Sequence, residues 1–191
     1  MSIKIKREGD FFMAEDKRIR RTKKLLREAL CDLMKQKHFK NITVSDIVRQ
    51  ADINRGTFYA YYQDVYDLRE KVEDDMITSL KDIITTSMSD SNSKTMRTSI
   101  QKAVEYLEGN HELAYVLLKD GNLERKMIIL LADCCQTILP ANYNKKPDEW
   151  TICFVATGCM GIMRRLMMNE QKADKNKIID IIDNLLCQIL T

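Results

Sequence analysis

Turn-forming residues are scarce in this chain of 191 residues, which contains 2 prolines and 6 glycines. Folds built from many short strands need more such residues between their strands, so the composition argues against a sandwich or a barrel. Hydrophobic residues make up 45% of the sequence, which is enough to bury a core and excludes wholesale disorder. The sequence therefore predicts an all-α protein.

The ligands of a metal site are equally scarce. The chain has two histidines, His38 and His111, and no pair of cysteines in a CxxC spacing, so we predict no metal site. The cysteines lie within apolar helical patterns, and we expect buried, reduced thiols at Cys31, Cys134, Cys135, Cys153, Cys159 and Cys187. A redox sensor at Cys134 and Cys135 is the alternative interpretation.

Segments that would direct the chain to a membrane or out of the cell are also missing. Residues 1–24 contain no apolar run of the about 7–15 residues that a secretory signal needs. The longest uncharged apolar stretch, 150–163, is shorter than the about 20 residues that span a bilayer. We therefore expect a cytoplasmic protein with no membrane partner.

Signatures of catalysis are absent as well. The segment HELAY, residues 111–115, resembles half of a zinc-protease motif, but Tyr115 stands where the second histidine is required. We find no Ser-His-Asp set, no phosphate-binding loop and no dinucleotide fingerprint. The sequence therefore predicts no catalytic residues and no cofactor, and we expect a protein that is not an enzyme.

Charge, by contrast, is present and unevenly distributed. Residues 1–62 hold 15 Lys/Arg and 8 Asp/Glu, a net charge of +7, whereas residues 63–191 hold 16 Lys/Arg and 20 Asp/Glu, a net charge of −4. A basic N-terminal third on an acidic remainder favours a polyanion-binding head on a neutral-to-acidic body. A solvated charged surface would explain the charge alone equally well.

The basic third contains a strong helix-start signal at Thr43. Thr43 is a good N-cap with Asp46 three residues later, and Ile42 and Ile47 have the spacing of a hydrophobic staple. This pattern predicts a short helix from Val44 to Gln50 or Ala51.

A second short helix is predicted from Arg55 to Tyr61 or Tyr62, with Asn54 as its N-cap. The connection between the two short helices is so brief that they must cross steeply. A longer helix at about 15–37 covers their apolar side, which predicts a three-helix helix-turn-helix domain.

The second short helix begins with a glycine and then becomes rich in aromatic residues. The N-terminal residues of such a helix lead into the DNA major groove, where Gly56 would let the backbone approach DNA and Arg55 could reach a guanine edge or a phosphate. We expect Phe58 to face the small core, Tyr62 to pack under the junction with the next helix, and Tyr59 and Tyr61 to face DNA. The alternative is that the tyrosines only fill the core.

Residues 22–68 resemble the DNA-binding domain of TetR-type (tetracycline-repressor-like) transcriptional regulators, most specifically in the stretch NITVSDIVRQADINRGTFYAYYQD. The resemblance implies a ligand-responsive homodimeric repressor that binds an inverted-repeat operator in double-stranded DNA and responds to an unknown small-molecule effector. It implies phosphate contacts from Thr43, Thr57, Tyr59 and Tyr61, and base contacts from Asn54 and Arg55. Together with Gly56 and the basic residues Lys17 and Arg21, these form the predicted DNA-binding set.

Two residues depart from the pattern of the family. Asp52 replaces the usual glycine of the turn, and Val65 replaces a lysine near the start of the following helix. Losing that cation removes a phosphate contact, and we expect compensation from the basic segment of Lys17, Arg18, Arg20, Arg21 and Lys23. The departures keep open an alternative function, a TetR-like co-activator or adaptor acting mainly through protein–protein contact.

The remainder is predicted to be a helical regulatory, ligand-binding and dimerisation domain. We predict a flexible arm at 1–14, the helix-turn-helix domain at 15–63 and the second domain at 64–191. Patterns of apolar spacing, with caps at Asp64, Asn110 and Asn122, predict helices in the second domain at about 65–88, 94–108, 110–119, 122–139, 147–170 and 174–190.

The last two predicted helices carry small residues and an apolar stripe, respectively. Small residues let helices approach closely, so we expect these helices to pair with their symmetry mates in a four-helix dimer interface. The predicted interface residues are Gly158, Gly161, Ile178, Ile182, Leu185 and Ile189. The alternative is that both helices pack only within one subunit.

A ligand pocket is predicted between the helices of residues 100–170. Methionines and aromatic residues would give it an adaptable apolar lining, for which the candidates are Tyr106, Tyr115, Met127, Cys134, Phe154, Met160 and Met163. Methionine at helical spacing is also typical of an ordinary core, and that interpretation stays open.

Overall fold

A computed structural model describes residues 8–89, 95–119, 121–137, 147–168 and 174–190, with side chains at 17–87, 96–119, 121–137, 147–168 and 174–188. Over these residues the chain is helical and contains no strand, which confirms the all-α prediction. The helices are α1 Glu8–Gln36, α2 Val44–Gln50, α3 Arg55–Tyr59, α4 Val65–Ser89, α5 Thr95–Gly109, α6 His111–Lys119, α7 Asn122–Thr137, α8 Glu149–Met168 and α9 Lys175–Leu190, with a 3₁₀ turn at Phe39–Asn41.

The chain divides into two compact units, Met1–Val72 and Glu73–Thr191. The first unit ends later than the predicted boundary at residue 63, because Val65, Leu68 and Val72 at the start of α4 are buried. The predicted arm at 1–14 also needs correction. Helix α1 begins at Glu8, and residues 1–7 lie outside the described residues.

The first unit has a small, fully apolar core. Helix α1 packs on α2 and α2 packs on α3, and the side chains of Leu26, Leu30, Ile47, Phe58 and Leu68 have no solvent exposure. Each of these residues lies at the 3- or 4-residue spacing that puts one helix face inward. The core fixes the positions of α2 and α3 relative to each other.

The start of α2 is held by the predicted cap at Thr43. Its hydroxyl accepts a hydrogen bond from the Asp46 N–H at 3.2 Å, and the Asp46 carboxylate accepts one from the Thr43 N–H at 2.9 Å. Lys37 donates to the same carboxylate at 2.8 Å. The bond from Lys37, followed by those from Thr43, holds the pKa of Asp46 well below its usual range, so the carboxylate stays ionised and the cap stays formed at a lower pH than an ordinary aspartate would allow.

Helix α3 is shorter than predicted and ends at Tyr59 rather than at residue 61 or 62. The Tyr61 N–H donates to the Phe58 carbonyl at 3.0 Å, three residues back. This tightened spacing closes the last turn of the helix.

The turn between α2 and α3 contains Asp52 in the left-handed region, at φ 51°. Residues other than glycine are strained there, although aspartate tolerates the region better than most. This geometry explains why a glycine would suit the position. Aspartate keeps the turn at some cost in stability.

Replacing Asp52 with glycine is expected to raise the free energy of unfolding by about 0.5–1 kcal/mol, because the β-carbon is removed from a left-handed residue. Asp52→Ala keeps a β-carbon and is expected to lower stability. Denaturation followed by circular dichroism compares the two variants with the parent chain. Equal stability of the glycine and alanine variants would contradict the strain.

The second unit surrounds a larger core made by the C-terminal part of α4 and by α5–α9. Its largest fully buried side chains include Leu107, Leu117, Leu118, Leu123 and Met160. The predicted helices of this domain are confirmed within two residues at the ends that the structure describes. The chain therefore follows its apolar periodicity closely.

The starts of α7 and α8 use different residues from those that the sequence analysis emphasised. Asn122 is the first residue of α7 rather than its N-cap, and it follows Gly121, which has φ 78°. Asp148 caps α8, since its carboxylate accepts hydrogen bonds from the N–H groups of Trp150 and Thr151 at 2.9 and 3.0 Å.

A buried carboxylate joins α4 to α7 within the second unit. Glu73 has no solvent exposure. It accepts a hydrogen bond from the side-chain amide of Asn122 and pairs with the Lys126 ammonium at 3.2 Å. Lys126 also pairs with Asp74 at 2.6 Å, and Lys81 pairs with Asp133 at 2.9 Å. Ionic contacts therefore fix α7 against α4 at more than one level.

Helix α8 is long and apolar enough to cross a bilayer by length and composition alone, unlike the shorter uncharged stretch at 150–163. A core helix of a soluble protein passes the same test. In α8 the side chains of Val155, Met160 and Met163 are buried against other helices of the second unit.

Candidate nucleic-acid interface and ligand cavity

An exposed polar cluster marks the start of α3. The Arg55 guanidinium donates to the Ser45 hydroxyl at 3.3 Å and to the Tyr59 hydroxyl at 3.2 Å, and it lies 5.7 Å from the centre of the Tyr59 ring. Tyr59 is 50% exposed. Both side chains are therefore available to a ligand from solvent. Ser45 was missed by the sequence analysis, although it lies in the first turn of α2, close to the Thr43 cap.

The N-cap of α3 explains the glycine that follows it. The Asn54 side-chain oxygen accepts a hydrogen bond from the Gly56 N–H at 2.7 Å. A β-carbon at Gly56 would lie 3.3 Å from that oxygen, so a larger residue would crowd the cap. Asn54 is exposed, but its oxygen is engaged in capping, which leaves its NH₂ group for the predicted base contact.

The other predicted DNA-binding residues are placed as follows. Thr43, Lys17 and Arg21 are exposed, while Thr57 and Tyr61 are partly exposed. No described contact joins Lys17 or Arg21 of α1 to the Arg55 cluster. Phe58 is buried, which confirms that it faces the core, and Tyr62 is buried as well. The alternative that all the tyrosines fill the core is wrong, because Tyr59 is half exposed.

A cation that the sequence did not indicate lies at the other end of α3. The Lys71 ammonium donates to the Tyr61 carbonyl at 3.1 Å and pairs with Asp67 at 3.0 Å. Lys71 lies two turns into α4 and extends back to α3. Val65, one of the two departures noted in the sequence, is buried. Position in the sequence alone did not reveal Lys71, because its target is a backbone carbonyl.

The second unit contains an apolar cavity of about 120 Å³ that is partly open to the surface. Five helices contribute to its wall: α4, α5, α7, α8 and α9. The lining residues are Leu80, Ile84, Met96, Ser99, Ile100, Ala103, Leu107, Met127, Leu130, Leu131, Cys134, Cys135, Val155, Cys159, Met163, Ile182 and Leu186.

The cavity includes only part of the predicted pocket. Met127, Cys134 and Met163 line it, whereas Tyr106, Tyr115, Phe154 and Met160 do not. Phe154 is 68% exposed, and the Tyr115 ring stacks on His111 and lies 4.2 Å from the Lys119 ammonium. The prediction missed the residues of α4, α9 and the first turns of α5, because it placed the pocket within 100–170.

The outer faces of α8 and α9 carry exposed apolar residues. Trp150, Phe154, Ile181 and Leu185 are 82%, 68%, 42% and 45% exposed. Gly158 and Gly161 are exposed too, and a β-carbon at either would meet no atom within 4 Å. We call the surface formed by these six residues the α8–α9 face.

Two predicted interface residues, Ile178 and Ile182, are not on the α8–α9 face. Ile182 is 3% exposed and lines the cavity, and Ile178 packs against the apolar core of its own subunit. The side chain of Ile189 lies outside the described side chains. Trp150 was missed, although Trp150 and Phe154 have the i, i+4 spacing of neighbours on one helix face.

Two family models match most of the chain. The model described as bacterial regulatory proteins of the tetR family matches residues 26–72, and the model described as a transcriptional regulator C-terminal region matches residues 94–188. The chain belongs to the TetR family of transcriptional regulators. TetR-family members are DNA-binding regulators rather than enzymes, in agreement with the expectation from sequence.

A curated relative shares only part of its length with this TetR-family chain. The Uncharacterized HTH-type transcriptional regulator YxbF of Bacillus subtilis (strain 168) is 24% identical over 103 residues. The match covers 52% of this chain and 27% of the relative, so the chain spans about a quarter of that protein.

Solved TetR-like structures share the fold over most of the chain. The dihydroxyacetone kinase operon activator DhaS is 23% identical with a TM-score of 0.63, and the match covers 88% of this chain and 96% of that one. A putative TetR-family regulator from Syntrophomonas wolfei is 14% identical with a TM-score of 0.67, covering 88% and 94%.

A third structure contains a ligand. The regulator FadR from Bacillus subtilis, in complex with stearoyl-CoA, is 17% identical with a TM-score of 0.62, and the match covers 87% of this chain and 97% of that one. At these identities the likeness shows the fold alone.

Proposed function

We propose that this TetR-family regulator is a cytoplasmic, ligand-responsive homodimeric repressor that binds an inverted-repeat operator through α2 and α3. The observation that carries the DNA-binding part is the exposed cluster of Arg55, Ser45 and Tyr59 at the start of α3. A guanidinium oriented by two hydroxyls is suited to a bidentate contact with a guanine or a phosphate. Lys71 supplies a cation at the opposite end of α3.

Selection of bound sequences from a random duplex library tests the operator. A homodimer whose α3 helices enter successive major grooves selects an inverted repeat with half-site centres about 10 base pairs apart, or a multiple of that spacing. Recovery of unrelated sequences, or of single half-sites only, would contradict the proposal.

The α8–α9 face supports the homodimer. Trp150 and Phe154 expose large aromatic side chains beside two glycines that leave open space at the surface. Aromatic residues are enriched in protein interfaces, and glycine lets two helices approach closely. We propose that a second copy of this chain covers the face, with Leu185 and Ile181 at its edge on α9.

Replacing Gly158 with leucine is expected to give monomers in sedimentation experiments. The subunit has room for the new side chain, because nothing lies within 4 Å of the added β-carbon, so the change affects mainly a partner. Ile129→Leu, at an exposed position of α7, is the matched control and should leave the dimer intact. A Gly158→Leu variant that sediments as the parent does would contradict this interface.

The cavity supports the ligand-responsive part. Leu80 and Ile84 of α4 line it, and the N-terminal turns of the same helix pack in the first unit through Leu68 and Val72. A ligand that binds one arrangement of α4 more tightly shifts the population of DNA-binding states. Release of the operator by an effector would support a repressor.

A TetR-like activator, or an adaptor acting mainly through protein contact, is the second candidate. A structural neighbour, DhaS, is named as an operon activator, and the turn of this chain carries an acidic residue, Asp52, beside the proposed DNA-binding helix. Transcription from a promoter with the selected operator separates the two, because a repressor lowers it and an activator raises it.

A further inference from the structure

The described part of the cavity wall contains no group that could neutralise a charged ligand. None of the lining residues in the described part of the chain carries a carboxylate, ammonium, guanidinium or imidazole group, and the Ser99 hydroxyl is the only oxygen-bearing side chain. Burying an ionised group without a partner costs several kcal/mol. The part of a ligand that contacts this wall is therefore neutral.

Three thiols in the wall do not change this conclusion. Burial raises the pKa of Cys134 to about 11, that of Cys135 to about 12 and that of Cys159 to about 11. Neutral thiols behave as small hydrophobic groups and are poor nucleophiles, because the thiolate is the reactive form. The wall is thus apolar and chemically inert at neutral pH, which argues against a redox sensor at Cys134 and Cys135.

The size of the cavity limits the ligand further. An apolar cavity of about 150 Å³ stays dry and accommodates benzene, so a space of about 120 Å³ suits a group of about six non-hydrogen atoms. The stearoyl chain bound by the structural neighbour FadR has about three times as many non-hydrogen atoms as such a group. The likeness in fold therefore does not carry over to the ligand.

We propose that the effector of this regulator is a compact, neutral, apolar molecule in the size range of benzene or a five-carbon alcohol, bound between α4, α5, α7, α8 and α9. This inference names the ligand class of the site in the proposed function and depends on that function for its regulatory meaning. The binding itself is measurable without DNA.

Calorimetric titration of the full chain with benzene, 1-pentanol and sodium pentanoate tests the ligand class. Both neutral probes are expected to bind, with pentanoate at least about 100-fold weaker than 1-pentanol because its carboxylate would be buried without a partner. Equal binding of the alcohol and the carboxylate would overturn the proposal, as would failure of both neutral probes to bind or displacement of benzene by stearoyl-CoA.

Filling variants locate the binding. Ala103→Leu and Cys159→Leu add volume to the cavity lining, on α5 and α8 respectively, and each is expected to weaken benzene binding at least about tenfold. Ile129→Ala removes an exposed apolar side chain of α7 outside the lining and should leave binding unchanged. Circular dichroism identifies any variant that fails to fold, and benzene binding that survives in both folded filling variants would place the ligand elsewhere.

A separate measurement of operator binding distinguishes a failure of the proposed ligand class from a failure of the proposed function. Benzene that binds without changing DNA affinity would support the ligand class and contradict ligand-responsive repression. A charged compound that releases the operator and binds within the cavity would overturn the ligand class and leave the repressor standing.

Discussion

An Arg55→Ala variant is expected to lose about 1–3 kcal/mol of binding free energy at each operator half-site, which corresponds to a loss of affinity of about 5- to 150-fold per half-site, and the two losses multiply on a full operator. The variant removes a guanidinium that Ser45 and Tyr59 orient toward solvent. Its binding to random duplex DNA should fall much less. Random DNA is bound through attraction between the total charge of the protein and the phosphates, whereas the base contact of Arg55 contributes only at the operator. Fluorescence anisotropy with the selected operator and a scrambled duplex measures both losses.

Arg125→Ala is the matched control, since Arg125 is an exposed arginine of α7 in the second unit. It removes the same charge without altering α3 and should leave the preference for the operator unchanged. If Arg55→Ala weakens binding to operator and scrambled DNA equally, Arg55 contacts only phosphate and the base contact is wrong.

A Glu73→Ala variant is expected to lower the free energy of unfolding by about 3 kcal/mol. Removing one partner of a buried ion pair leaves the other without compensation, and here the Asn122 amide also loses its acceptor. The Lys126 ammonium keeps Asp74 as a partner, which places the expected loss at the lower end of the usual range. Thermal or chemical denaturation at one fixed protein concentration measures the effect.

Asp74→Ala supplies the comparison for Glu73, because it removes a carboxylate from the same lysine but at an exposed position. Exposed ion pairs contribute about 0–1 kcal/mol, so its effect should be small. A second comparison replaces Glu73 and Lys126 together with leucine and methionine, which should restore much of the loss. Equal losses from Glu73→Ala and Asp74→Ala would show that burial of Glu73 does not matter.

The DNA-binding unit was largely predictable because its signals are local. A capping box at Thr43, the apolar spacing around Ile47 and the aromatic run after Gly56 each act over a few residues. The sequence could not reveal that Asn54 uses its oxygen on the Gly56 N–H, or that Lys71 reaches the Tyr61 carbonyl. Those contacts depend on how neighbouring segments pack.

The second unit was predictable in its helices and less so in its surfaces. Periodicity shows that α9 is apolar, but it does not show that Ile182 faces the cavity while Leu185 is exposed. That assignment depends on packing between helices far apart in sequence. Glu73 offered a signal that was missed, since its spacing from Met76 and Leu80 places it on the buried side of α4.

The central claim is that the exposed cluster of Arg55, Ser45 and Tyr59 recognises a specific duplex. Salt-dependent binding to the DNA that flanks the protein's own coding sequence tests this claim. The account predicts tight, sequence-dependent binding whose log–log slope against salt is near −9, as expected for about ten phosphate contacts by a dimer. Binding that is independent of sequence, and no tighter than about 10⁻⁵ M, would contradict it and favour a protein-contact adaptor.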